Sequence, residues 1–153
     1  MLCGIHKITG GDCLNEFAKF KVGDKYVVQK KITEADAAHN YGTKRLSNLL
    51  GTPGLVAMVI EAAVGLIDLK LSEGVISIGN EIGITHTKPT KVGETVTVEI
   101  EVKEIHDKDE CIFLTFKAFD EIGPIANGVH VRNIVNRESF FAKTDERVKR
   151  LGL

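Results

Sequence analysis

The clearest regularity in the chain is the alternation of apolar and polar positions from Thr95 to Ile105. Val96, Val98, Ile100 and Val102 fall on one side, and Thr97, Glu99, Glu101 and Lys103 on the other. A period of two marks a strand with one buried face. Cys111 to Phe119 repeats the pattern, with Ile112, Leu114, Phe116 and Ala118 inward, while Phe113 and Phe119 leave the outer face partly apolar. His106 to Asp109 is the hairpin loop between them. Ile125 to Asn136 reads as a last long strand after a turn at Asp120 to Pro124. Val75 to Thr87 reads as an earlier one that stops before Pro89, and Lys25 to Ile32 as the first, where Tyr26, Val27 and Val28 favour extended structure.

One segment breaks this rhythm. From Pro53 to Ile67 the only charged residue is Glu61, a run of 15 residues that ends at Asp68. A bilayer span needs about 20 apolar residues, so a buried helix is expected, with no membrane partner. Thr52-Pro53 supplies its start signal: threonine suits the N-cap, and proline suits the first helical position, where its missing N–H costs nothing. The helix is expected from Pro53 to about Leu71, closed by Ser72-Glu73-Gly74. A shorter capped helix follows Thr33, through Glu34, Ala35 and Asp36 to about His39, with Gly42 ending it.

The order is therefore one strand, a central helix, then about four antiparallel strands. A helix apolar on nearly every side must be surrounded. A curved antiparallel sheet wrapped around one long helix, the α+β hot-dog arrangement, meets that demand. The partly apolar outer face of the sheet implies a second copy, hence a homodimer or a larger homo-oligomer. Residues 1–20, with a turn signal at Gly10-Gly11-Asp12, are expected to be an N-terminal extension packed on a domain spanning 21–153.

Composition narrows the class. A 153-residue chain, 43% hydrophobic and 27% charged, has the size and balance of one globular domain. Its net charge of -1 gives no reason to expect nucleic acid or an anionic membrane as partner. Cys3, Cys13 and Cys111 are odd in number and lack CxxC spacing, against a disulfide framework or a structural zinc site. The opening Met-Leu-Cys-Gly-Ile-His-Lys has no secretory pattern, so a cytoplasmic location is expected. The five histidines lack HxxxH or HxH spacing, and no phosphate-cradling glycine loop or GxSxG elbow occurs. A cofactor-free hydrolase or a binding module remains.

Glu61 stands out as the one carboxylate in an apolar helix. A buried carboxylate is usually paired, protonated or functional, so Glu61 is expected either in an active site or in a subunit-interface network. His86, in Ile84-Thr85-His86-Thr87, closes a strand before a proline turn. A lone strand histidine more often faces solvent or an interface, but it can act as an acid or base. His130 and Arg132 share one face of the last strand, where they could hold a carboxylate or phosphate. The plainer reading is an exposed polar face, for His130 more than for Arg132. Gly79 and Gly83 interrupt a good strand, as glycines do at bulges or where a ligand nears the backbone.

These pieces together resemble the fluoroacetyl-CoA thioesterase family of hot-dog proteins, from about Phe20 to Thr144. The resemblance is carried by Phe20-Lys21-Val22-Gly23-Asp24, Thr52-Pro53, Val59-Ile60-Glu61-Ala62-Ala63, Ser77-Ile78-Gly79, Ile84-Thr85-His86-Thr87 and Gly128-Val129-His130-Val131-Arg132. It implies hydrolysis of a short-chain acyl-CoA by a Thr–Glu–His constellation landing on Thr52, Glu61 and His86. Glu61 would attack the thioester or activate water, His86 would serve as acid and base, and Thr52 would orient the carboxylate or the substrate. A backbone N–H near Gly79 would face the developing oxyanion, and Arg132 would contact the acyl end or the CoA.

Two departures accompany the resemblance. The family spaces its threonine and glutamate by eight residues, whereas Thr52 and Glu61 are nine apart, about 180° around a helix rather than about 80°. If the two fail to converge, Ser47 or Asn48 becomes the substitute for Thr52. Between His39 and Leu71 the chain has no Phe, with Tyr41 the only aromatic besides His39, which argues against fluoroacetyl-CoA as substrate. The rival reading is a non-catalytic module that binds or senses acyl-CoA.

Overall fold

The computed structural model describes residues 13–152; the turn signal at Gly10-Gly11-Asp12 lies outside them. A short helix α1 (Cys13–Phe17) leads into β1 (Lys25–Lys31), the central helix α2 (Thr52–Ile67), β2 (Val75–His86), β3 (Thr95–His106), β4 (Cys111–Phe119), β5 (Pro124–Asn136) and a terminal helix α3 (Arg137–Lys149). The strands form one antiparallel sheet in the order β1-β3-β4-β5-β2, with β1 and β2 as its edges.

The strands sit where their patterns predict. Val96, Val98, Ile100 and Val102 of β3 are fully buried, and Ile112, Leu114, Phe116 and Ala118 of β4 nearly so. Their registers explain why. Val98 pairs with Ala118, Ile100 with Phe116 and Val102 with Leu114, so each inward residue faces another inward residue. This face closes on Leu55, Met58, Val59, Ala62, Ala63, Leu66 and Ile67 of α2 in one core. Each leucine, isoleucine, valine or methionine among them contributes about 1.5–3 kcal/mol relative to exposure. Phe17 and Phe20 join the same core.

Three expectations change. The helix after Thr33 is two 3-10 turns, Glu34–Asp36 and Ala38–Asn40, and Asp36 holds the first by accepting from the Thr33 N–H at 2.9 Å. The N-cap of α2 is Gly51, not Thr52. A Cβ on residue 51 would lie 2.9 Å from the Ala38 Cα, so glycine is required there by a close crossing of the chain, which no local pattern announces. Most important, α2 is not surrounded. Gly54, Leu55, Met58, Val59, Ala62, Ala63, Leu66 and Ile67 face the sheet, but Ala57, Ile60, Glu61 and Val64 are exposed. The helical stretch Thr52–Lys70 is long and apolar enough to cross a membrane by length and composition, yet its inner side forms the core of the sheet.

The outer face of the sheet is also more polar than the aromatic residues on it suggest. Phe113 and Phe119 are half-buried, and Phe113 packs against His106 at 4.8 Å between ring centroids. Around them the outer surface carries Lys25, Gln29, Glu99 and Glu101, with Lys25 bridging to Glu99 and Gln29 bonding Thr97. α2 also leaves apolar residues uncovered, Ile60 at 41% and Val64 at 37% exposure.

Candidate active site

The start of α2 and the end of β2 meet. Because Gly51 is the cap, Thr52 occupies the first helical position and its hydroxyl is not used to cap the helix. It bonds instead to His86 Nδ1 at 2.9 Å. His86 Nε2 is shut off from solvent and makes no hydrogen bond with a described residue. Burial lowers the pKa of this imidazole, with the nearby Lys88 backbone opposing more weakly, so the ring is neutral at pH 7. A neutral histidine oriented by a hydroxyl, with its second nitrogen unspent, has the make-up of a general base.

The pair lines an open cleft of about 330 Å³, walled by Ala38, Leu46, Leu49, Leu50 and Pro89. Its loop wall is pinned to the strand side: Leu49 bridges to Lys91, and the Leu50 N–H donates to Thr90 O at 2.8 Å. Ser47 and Asn48 are exposed and do not line the cleft, so Thr52 keeps its place beside His86. Tyr41 is solvent-exposed, at 54%.

Glu61 does not join the pair within the chain. Within the single chain its side chain is exposed, and it makes no hydrogen bond or ion pair with another described residue. Helix geometry gives the reason. Gly65, one turn further on, lies beneath Tyr26 of β1; a Cβ there would be 2.4 Å from that ring. Glu61 therefore lies on the β1 side of α2, whereas Thr52 faces His86 on β2. Nine residues at about 100° each place them on opposite flanks, about 13.5 Å apart along the axis. The β2-side position eight residues after Thr52 is Ile60.

Gly79, His130 and Arg132 gather at the other end of β2. Arg132 pairs with Gly79 across β2–β5, and the register shifts between Gly79 and Glu81, the bulge that the glycine suggests. Residues 126, 128, 130, 132 and 134 share the inner face, since Leu114 pairs with His130 and Ile112 with Arg132. The exposed polar face is thus overturned: His130 and Arg132 are 2% and 5% exposed. Arg132 Nε donates to Ser77 Oγ at 2.7 Å and Nη2 to Ser77 O at 2.8 Å. The Ser77 hydroxyl donates in turn to the Asp68 carboxylate. His130 Nδ1–H donates to Glu81 O at 2.7 Å, leaving Nε2 to accept from Arg132 Nη1 at 3.3 Å. Burial, and secondarily the Arg132 charge, lower the pKa of His130, while the Glu81 carbonyl opposes them.

Nothing in the sequence linked Asp68 or Ser77 to this network. The only available signal was parity: His130 and Arg132 alternate in step with Ala126 and Ile134. Seven residues at about 3.3 Å each separate Gly79 from His86, roughly 23 Å. One chain therefore holds two polar clusters at opposite ends of its edge strand. Among the described residues no group of three or more His, Cys, Asp or Glu is placed to hold a metal ion.

Known proteins share the fold. The fluoroacetyl-CoA-specific thioesterase family matches residues 32–138. The fluoroacetyl-CoA thioesterase of Streptantibioticus cattleyicolor is 29% identical over 99 residues, 65% of this chain and 70% of that protein. The crystal structure of a hot-dog-like protein from Thermanaerovibrio acidaminovorans superposes with a TM-score of 0.79 at 28% identity, covering 85% of this chain and 94% of that one. A fluoroacetyl-CoA thioesterase variant in complex with acetyl-CoA superposes with a TM-score of 0.76 at 22% identity, covering 84% and 98%, a likeness of fold. With the curved sheet, the central helix and the Thr52–His86 cleft in place, the chain belongs to the fluoroacetyl-CoA-specific thioesterase family, hot-dog proteins of the thioester-hydrolase class.

Proposed function

We propose that this protein hydrolyses a short-chain acyl-CoA to the free acid and CoA, with the Thr52–His86 pair as its chemical centre. The observation that carries this reading is the 2.9 Å hydrogen bond between Thr52 Oγ1 and a histidine that burial keeps neutral. In the proposed step His86 Nδ1–H donates to Thr52, which leaves the Nε2 lone pair free. Once the bound substrate opens the cleft at Nε2, which is closed to solvent in the free chain, Nε2 takes a proton from water as the water oxygen bonds to the thioester carbonyl carbon. The C–S bond then breaks, and the imidazolium returns the proton to the departing sulfur. The named residues carry each proton, and the step calls on no cofactor. The absence of Phe between His39 and Leu71 supports a substrate other than fluoroacetyl-CoA.

The working unit in this proposal is a homodimer. The free edge of β2 and the exposed Ile60 and Val64 of α2 form one uncovered surface. Two β2 edges paired antiparallel about a two-fold axis near Ile82 would bring the Gly79–Arg132 end of one copy beside the Thr52–His86 end of the other. A Gly79 backbone donor to the oxyanion and an Arg132 contact to the acyl end or the CoA, both about 23 Å from His86 within a chain, then become reachable across the dimer. Glu61 sits at the margin of that surface and is left outside the reaction.

A thiol-release assay over acetyl-, propionyl-, malonyl- and similar CoA esters tests the proposal. Turnover of at least one ester is expected. Tight binding of the esters with no thiol released would replace it with the binding-module reading.

A further inference from the structure

The cleft is apolar within but basic at its mouth. No Asp or Glu occurs from Ala37 to Ile60 or from Ile82 to Gly93, the two stretches that form its walls, yet these contain Lys44, Arg45, Lys88 and Lys91. In a chain of net charge -1 this is a local concentration of positive charge. Lys88 lines the cleft directly, and Lys44 and Arg45 precede Leu46, which also lines it. Lys91 lies beside Leu49 through their bridge. All four are exposed.

Several surface cations elsewhere are matched. Lys19, Lys25, Lys30 and Lys70 each hold a carboxylate within 2.6–3.5 Å. Lys44, Arg45 and Lys88 hold none among the described residues. The nearest acids on adjoining segments are otherwise engaged: Glu94 accepts the Lys91 backbone N–H at 2.6 Å, and Asp120 accepts from Thr90 and from the backbone of Ile122 and Gly123. Asp36, which precedes the first stretch, is held by Lys30 at 2.6 Å, so none of the three mouth cations is ion-paired among the described residues.

We infer that Lys44, Arg45 and Lys88 form the binding site for the phosphates of the CoA nucleotide, at the mouth of the cleft whose floor is Thr52 and His86. This inference rests on the acyl-CoA reading above and adds to it the anchoring point of the nucleotide. The thioester must reach the floor, so the long pantetheine arm runs along the Leu46–Leu49–Pro89 walls, and the phosphates emerge among the cations. Charge-assisted bonds from Lys and Arg to phosphate suit that place, and the open mouth leaves the nucleotide largely in solvent.

The test uses the full chain and two esters of the same acyl group, one on CoA and one on pantetheine, which lacks the nucleotide. For Lys44→Ala/Arg45→Ala, KM for the CoA ester should rise about tenfold at low salt, and KM for the pantetheine ester less than twofold. Raising the salt should weaken CoA binding to the wild type and narrow its advantage over the variant. Lys108→Ala, at the other end of the sheet, should leave both esters unaffected. An unchanged KM for the CoA ester, or an equal rise for both esters, would overturn the inference. Calorimetric titration with free CoA separates its fate from that of the enzyme. If wild type releases no thiol yet binds CoA about tenfold more tightly than the double variant, the hydrolase reading falls and the phosphate site stands. If the two bind CoA equally, the phosphate site falls whatever the turnover.

Discussion

The two flanks of α2 make an instructive pair. On the β2 side, Thr52 meets a half-buried histidine at hydrogen-bond distance beside a cleft. On the β1 side, a turn-spaced pair, Glu61 and Gly65, lies open to solvent and against Tyr26 respectively. The charged residue that looks most catalytic in the sequence lies on the flank without a partner, and the hydroxyl that looks merely structural lies on the flank with one. What decides is direction around the helix, and hydropathy along the chain carries no such information.

The largest expected effect comes from His86. His86→Ala should lower kcat/KM by about 100-fold or more, the usual range for a lost acid–base group, with the fold intact by circular dichroism. A histidine whose pKa is lowered is already unprotonated at pH 7. The rate should therefore be level from pH 7 to 8 and fall only below about 6.5, the ordinary histidine value, as the ring protonates. A rate still climbing steeply between pH 7 and 8 would point to a different base. The same lowered values at His86 and His130 make stability fully present above about pH 6.5 and progressively lost as pH falls below it, measurable as a drop in Tm.

Thr52→Ala should cost less, about tenfold in kcat, because it removes one orienting hydrogen bond worth about 1–1.5 kcal/mol and leaves the base in place. Gly65→Ala probes the other flank. Its Cβ would meet the Tyr26 ring at 2.4 Å, so Tm should fall with a loss of about 1–2 kcal/mol, while kcat stays within about twofold of wild type. A large kcat defect in a folded Gly65→Ala protein would mean that the β1 flank takes part in the chemistry.

Much of the fold was legible because strands of period two announce their faces. Val96 to Val102 and Ile112 to Ala118 are buried on the expected side, and the ends of β2, β3 and β4 lie within a residue or two of the turn signals that mark them. The site was legible only where local geometry sufficed. Thr52 and His86 were identifiable as residues, but their contact depends on the Gly51–Ala38 crossing, which frees the threonine from capping. Glu61 is exposed within the single chain because an apolar helix can be greasy on a side that its own chain leaves uncovered. His130 and Arg132 looked like a polar surface because the expectation followed residue type; their pairing with Leu114 and Ile112 puts them inside, tied to Ser77 and Asp68. Ser77 and Asp68 are brought together by the return of β2 along α2, a tertiary event with no signature in the chain.

The smallest expected effect is the most telling, because it concerns the residue that sequence alone would place at the centre. Glu61→Gln should hydrolyse the best acyl-CoA of the panel with a kcat within about twofold of wild type under conditions where His86→Ala has lost about 100-fold. If instead Glu61→Gln falls as far as His86→Ala, the carboxylate reaches the reacting thioester, and a Thr52–His86 centre working without it is wrong.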